Sequence, residues 1–299
     1  MPVFFWALMI YVTGSSGFVG RSLAVHLGGR FDALHFGRDD WAEAVGRANF
    51  RDATVFHLAA RVHDDASAAD AFVRDNVEKT RVLANAARAG GARRFIFLST
   101  IKVNGEETGA RPFASTDTPH PEDAYGRSKL QAEQALAALE GLESVIVRSP
   151  LVYGPEAKAN LRSLLRLADT SWPLPLAGIR NRRSFIHVDD LARLLVECAT
   201  HPQAAGQTIL AAHRDTFSTP ELVTAMRRCF GRPARLFSIP PGMLEAAATL
   251  SGAGAKMRRM TRSLEVDCDA VHHLLGWSAQ IALGPAVEDM VRVYREAQA

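Results

Sequence analysis

Residues 9–20 read Met9-Ile10-Tyr11-Val12-Thr13-Gly14-Ser15-Ser16-Gly17-Phe18-Val19-Gly20, a short apolar run that ends in three glycines spaced three apart. The run at 10–13 predicts a buried parallel strand, and the glycines predict a tight turn opening a helix from about Phe18 to Leu27. Such a turn lets backbone approach a ligand closely. The helix start presents N–H groups without partners, which suits a pyrophosphate. Gly14, Ser16, Gly17, Phe18, Val19 and Gly20 are the candidates for that role. A plain structural turn is the bland alternative, and the strand–turn–helix context argues against it.

Working outward, short apolar runs alternate with helical stretches. Strands are predicted at 33–36, 54–60, 94–99 and 144–148, with helices over 69–89 and 125–139. Continuous apolar strands between helices imply an α/β fold, a doubly wound parallel sheet covered on both faces. After Pro150 the texture changes, with Pro155, Pro173 and Pro175 among polar loops. Residues 9–150 are therefore read as a nucleotide-binding domain and 151–299 as mostly a smaller substrate lobe. The helix at 189–198 and the strand at 207–210 place 186–213 back in the first domain.

Bulk properties exclude several classes. A formal charge of +3, without a dense basic run or interleaved aromatics, does not describe a nucleic-acid-binding protein. Cys198, Cys229 and Cys268 lack metal-ligand spacing and read as buried thiols in a reducing, cytoplasmic setting. No metal site is expected. The apolar stretch 1–12 is shorter than the ~20 residues a membrane span needs and lacks the marks of a signal peptide. Met9 reads as the natural start and residues 1–8 as an extension, a short interfacial segment being the alternative.

Tyr125 and Lys129 stand at i and i+4 in Tyr-Gly-Arg-Ser-Lys, on one face of a helix. A phenol of ordinary pKa ~10 exchanges protons poorly near neutrality, and an adjacent ammonium is expected to lower that value. Ser99 and Thr100, at the end of the fourth strand, are hydroxyl candidates for a third partner. Near the second strand Arg38 precedes Asp39 and Asp40. Arg38 suits the 2′-phosphate of NADP(H), while an acidic residue would grip the ribose of NAD(H). The reading favours NADP(H) and leaves NAD(H) open.

Taken together, these motifs resemble the extended short-chain dehydrogenases/reductases of the NAD-dependent epimerase/dehydratase family. The likeness adds His57-Leu58-Ala59-Ala60, Asn76, Val152-Tyr153-Gly154-Pro155 and Arg183-Ser184-Phe185-Ile186-His187-Val188-Asp189-Asp190. It implies a Rossmann-type nucleotide domain and a catalytic set of Thr100, Tyr125 and Lys129. Leu58, Ala59, Ala60, Asn76, Ser99 and Pro150 would border the cofactor. It further implies a UDP-sugar substrate whose diphosphate meets Arg183 and Asn160, with Lys102 also on the substrate side. A homodimer through the helices at 72–89 and 125–139 is implied as well, although core packing explains those helices equally.

Dehydratases of the family follow the catalytic Thr with Asp-Glu, where this chain has Ile101-Lys102. That leaves 4-keto reduction or 4-epimerisation. The segments 99–106, 121–129, 149–155 and 172–176 resemble the members that reduce UDP-2-acetamido-2,6-dideoxy-hexos-4-ulose for bacterial surface polysaccharides. Epimerisation is the alternative, and a non-catalytic nucleotide sensor is a third reading. Two departures stand out: Lys79 where the family usually has Gly, and Leu151 where an Asn often meets the substrate.

Overall fold

The structure is a computed structural model and describes residues 9–35, 41–62, 69–156 and 160–298. In chain order the first half comprises β1 (Ile10–Thr13), α1 (Phe18–His26), β2 (Asp32–Leu34), α2 (Trp41–Arg47), β3 (Thr54–His57), α3 (Ala69–Phe72), α4 (Lys79–Ala89), β4 (Arg94–Thr100), α5 (Ala124–Ala137) and β5 (Glu143–Ser149). There follow β6 (Leu151–Tyr153), α6 (Asn160–Ala168), β7 (Arg183–His187), α7 (Val188–Thr200), β8 (Thr208–Leu210), β9 (Thr216–Phe217) and α8 (Thr219–Cys229). The last four are α9 (Pro241–Leu250), α10 (Gly254–Thr261), α11 (Asp269–Leu275) and α12 (Leu283–Glu296).

Six strands form a wholly parallel sheet in the order β2-β1-β3-β4-β5-β8, the doubly wound Rossmann arrangement. Side chains alternate between its faces, and both faces are buried. Tyr11, Val55, Phe95 and Phe97 pack under α4 and α5, against Leu83, Ala87, Ala132 and Leu136. Ile10, Val12, Phe56, Ile96 and Val147 face the other way, onto Leu23 of α1 and Leu191, Leu194 and Leu195 of α7. Chain order reverses between β1 and β3, so the crevice beyond their carboxyl ends is where such a sheet takes a ligand.

A second sheet, β6-β7-β9, pairs β6 and β7 in parallel and β7 with β9 antiparallel. With α6, α8 and α12 it encloses its own apolar cluster around Tyr153, Leu161, Phe185, Met226 and Met290.

Two elements differ from expectation by more than a residue or two at their ends. The strand expected to reach Ala60 stops at His57, because the Ala59 N–H turns to the Thr13 hydroxyl at 3.2 Å rather than continuing the ladder. The single helix expected over 69–89 is interrupted by a π-helical segment, Val73–Glu78. Wider turns of this kind re-aim side chains and collect near functional sites. Here the segment carries Asn76.

Candidate functional site

The glycines shape the turn after β1 by what they lack. Gly14 has φ +72°, and a Cβ there would lie 2.8 Å from the Ala59 nitrogen on β3's extension. A Cβ on Gly20 would lie 2.1 Å from the Gly14 carbonyl oxygen. Gly17 is the N-cap of α1 and offers no side-chain cap, so the first N–H groups of the helix face the turn without a competing side-chain oxygen. That cradle fits a dinucleotide's pyrophosphate. Ser16 is exposed and its carbonyl accepts from Arg21 at 2.6 Å, whereas Phe18 and Val19 are half-buried. Arg38 and residues 1–8 lie outside the described residues.

Beneath the cradle runs a buried hydrogen-bonded chain. Thr13 Oγ1 lies 2.6 Å from His57 Nδ1, and His57 Nε2 lies 2.8 Å from Thr80 Oγ1. Thr80 gives its proton to the Asn76 carbonyl at 2.7 Å, so it accepts from Nε2–H and Nδ1 accepts from Thr13. Burial, reinforced by the Lys129 charge, holds His57 well below the usual imidazole range and hence neutral. The Asn76 amide then pins the loop beyond β3: its oxygen accepts from Arg61 N–H at 2.8 Å and its nitrogen donates to the Arg61 carbonyl at 2.9 Å. It also donates to Ser128 at 3.0 Å, which in turn donates to the Tyr125 carbonyl. Leu58, Ala59 and Ala60 border this loop, and Pro150 is buried in the link between β5 and β6.

Tyr125 and Lys129 lie in the first turns of α5, whose N-cap Asp123 accepts from the Gly126 N–H at 2.6 Å. Lys129 is 1% exposed, and its Nζ sits 3.8 Å from the centre of the Phe97 ring. Burial pulls its pKa down to about 7 against the opposing charge of Glu133. Tyr125 is half-buried, its ring centre 6.4 Å from that of Phe72. Burial and the Asp123 carboxylate both push its phenol up. Desolvation thus outweighs the expected lowering of the phenol, and it leaves Lys129 about half protonated near neutrality.

Thr100, at the end of β4, caps a 3₁₀ turn, accepting from the Lys102 N–H at 3.3 Å. Lys102 reaches Asp123 at 2.5 Å and Glu106 at 2.7 Å, which ties this turn to the start of α5. Thr100 and Tyr125 are thereby carried on joined elements. Ser99 instead donates inward, to Glu133.

A cavity of about 320 Å³ adjoins this junction, lined by Lys102, Glu106, Asp123, Arg258, Arg259 and Arg262. Arg183, at the start of β7, donates to the Arg262 carbonyl at 2.9 Å. Burial brings its pKa to about 10, with Glu106 opposing and Arg259 assisting. Asn160 begins α6, and its side chain is outside what the structure describes. Sequence reasoning missed Asn104, Glu133, Arg148 and Asn181. The signal for the charged pair was present: Arg148 ends an apolar strand, and Glu133 follows Lys129 by one turn on a helix face that is otherwise small and apolar.

Among the described residues no group of His, Cys, Asp or Glu is arranged to hold a metal, and no helix is long and apolar enough to cross a membrane. The profile of the NAD dependent epimerase/dehydratase family matches residues 10–212. A UDP-glucose 4-epimerase of Vibrio cholerae is 35% identical over 314 aligned residues, covering 96% of each chain. Among solved structures, RMD from Pseudomonas aeruginosa complexed with NADPH superposes with a TM-score of 0.77 at 20% identity, over 97% of this chain and 99% of that one. UDP-glucuronic acid 4-epimerase from Bacillus cereus, in complex with NAD, gives 0.77 at 20% identity, over 98% and 100%. These two likenesses establish the fold.

Proposed function

Because the chain belongs to the NAD-dependent epimerase/dehydratase family, we propose that it moves hydride at C4 of a UDP-sugar, with Tyr125 exchanging the C4-hydroxyl proton. The observation that carries this reading is the convergence of the Thr100 turn and the Tyr125–Lys129 face of α5, joined by Lys102 and Asp123, with α5 tied through Ser128 and Asn76 to the loop after β3. Bound in that cradle, a nicotinamide dinucleotide supplies or accepts the hydride. Thr100 orients the C4 oxygen by a hydrogen bond. Lys129, in its ammonium form, would hold the nicotinamide ribose and favour the phenolate of Tyr125. Arg183 and the start of α6 at Asn160 would take the diphosphate.

Two reactions use this set. Epimerisation is the first reading, supported by the full-length likeness to the Vibrio cholerae UDP-glucose 4-epimerase. Here the hydride is taken from C4 and returned to the opposite face, so the cofactor is regenerated. Reduction of a UDP-4-keto-6-deoxy-N-acetylamino sugar is the second reading. It rests on the 99–106 and 121–129 segments and on Arg38, which suits an exchangeable NADP(H). The test is purified protein with UDP-glucose or UDP-N-acetylglucosamine and no added cofactor, against the 4-keto sugar with NADPH or NADH. Interconversion of C4 epimers on retained NAD establishes epimerisation. Stoichiometric cofactor oxidation establishes reduction and identifies the cofactor.

A further inference from the structure

Four buried polar side chains behind the catalytic face form one connected group. Arg148, on β5, donates to Glu133 from Nε at 3.1 Å and from Nη2 at 2.6 Å. Its remaining arm, Nη1, donates to the Asn104 side-chain oxygen at 3.0 Å. Asn104 in turn donates to the Ala114 carbonyl at 3.0 Å, and Ser99 donates to Glu133. The ion pair is nearly dry, with side chains 6% and 4% exposed.

Placement is the informative part. Ser99 precedes Thr100 and Asn104 ends the 3₁₀ turn that Thr100 caps, so the group grips both sides of the Thr100 turn. Glu133 lies one helical turn beyond Lys129 on α5. The Thr100 turn is therefore fastened to the Lys129 helix from behind by two connections that meet at Glu133, one from Asn104 through Arg148 and one directly from Ser99. A buried ion pair is a poor source of stability compared with well-packed apolar residues, so its position calls for another explanation.

We propose that Glu133 and Arg148 are positioning residues, which set the separation between Thr100 and the Tyr125–Lys129 face and present one carboxylate to the Lys129 ammonium. This rests on the reading that Thr100, Tyr125 and Lys129 perform the proton and hydride chemistry. Among the described residues, the charged or titratable groups beside Lys129 include Glu133 and Tyr125 on its own helix and His57 on β3. His57 is neutral, so Glu133 is the group that favours the ammonium. Arg148 attenuates that carboxylate, and the pair acts as a unit.

The test compares wild type with the double variant Glu133→Leu/Arg148→Met, which removes both charges together and keeps the volume apolar. Single substitutions would leave one buried charge unpaired and confound folding with function. The folded double variant should lose about tenfold or more in kcat with KM for the UDP-sugar little changed, as expected of misplaced catalytic groups. The NMR titration of the Lys129 ε-carbon should move to lower pH. Ser99→Ala and Asn104→Ala, each removing one end of the group, should give smaller losses of kcat in the same direction. A folded double variant with wild-type kcat and an unmoved Lys129 titration overturns the proposal. If the double variant does not fold, wild-type kcat in both alanine variants overturns it. Absence of turnover in the wild type would sink the proposed reaction instead, and the Lys129 titration would still decide whether Glu133 governs that lysine.

Discussion

The Cβ that Gly20 lacks would lie 2.1 Å from the carbonyl oxygen of Gly14, closer than any real Cβ contact. Helix α1 can start against the β1 turn only because position 20 has no side chain. The contact is backbone to backbone, so no rotamer change relieves it. Gly20→Ala should therefore push α1 away from the turn and misalign the N–H groups at its start. The expected outcome is loss of dinucleotide binding, measured by fluorescence titration, together with a lower Tm. Gly28→Ala is the control for backbone strain alone: Gly28 has φ +61° but nothing within 4 Å of its missing Cβ. It should lower Tm by a few degrees, about 1 kcal/mol, and leave dinucleotide affinity unchanged.

Tyr125→Phe removes the hydroxyl proposed to exchange the C4 proton while leaving the ring against Phe72. Because Tyr125 is only half-buried, Tm should move little. Turnover of the UDP-sugar should fall about 10²–10⁴-fold with KM nearly unchanged, the pattern for a group acting in the transition state. Activity within threefold of wild type would remove Tyr125 from the proposed role.

The sheet was readable because buried parallel strands are written as short apolar runs, and 10–13, 94–99 and 144–148 reappear nearly as expected in β1, β4 and β5. The glycine turn and the Tyr125/Lys129 pair were legible for the same local reason: each is a spacing within one element. What escaped was set by contacts distant in sequence. The end of β3 depends on the Thr13 hydroxyl, 46 residues from Ala59. The fate of Ser99 depends on Glu133, and that of Glu133 on Arg148. No periodicity announces such partnerships. Asn181 shows this in the second half, where its amide joins Thr219, Met260 and Arg262. The direction of the Tyr125 shift was misjudged because burial is not visible in an i, i+4 spacing.

His57 makes acid stability a measurable property of the β1–β3 junction. Its imidazole is held neutral in the folded state, well below the usual value, while in the unfolded chain it protonates near ~6.5. Between those two values the unfolded state binds the extra proton, so stability is complete above pH ~6.5 and declines as pH falls. The slope for one such group is at most ~1.4 kcal/mol per pH unit. His187, also lowered by burial, contributes in the same direction. Urea unfolding of wild type and His57→Asn from pH 8 to pH 5 isolates the His57 share. The variant should be less stable at pH 8 and lose less on acidification. Parallel curves would mean that His57 does not carry the effect.

Arg183 supplies the sharpest test of where the substrate's charge is held. Its guanidinium is anchored to the Arg262 carbonyl, and its pKa is brought to about 10 by burial and by the like charge of Arg259, with Glu106 opposing. An anion arriving there relieves the repulsion between the two arginines and gains charge-assisted hydrogen bonds, each worth ~1.5–3 kcal/mol. Arg183→Gln keeps a donor for the Arg262 carbonyl but removes the charge. KM for the UDP-sugar should rise about 10–100-fold with kcat affected less, and competitive inhibition by UDP should weaken in parallel. Dinucleotide affinity should stay where it was, since Arg183 begins β7 and it is the other end of that strand, at His187, that lies beside Phe18 of the cradle, where a Cβ on Gly154 would meet both. A variant that loses dinucleotide affinity but keeps UDP inhibition would place Arg183 on the cofactor side and overturn the diphosphate assignment.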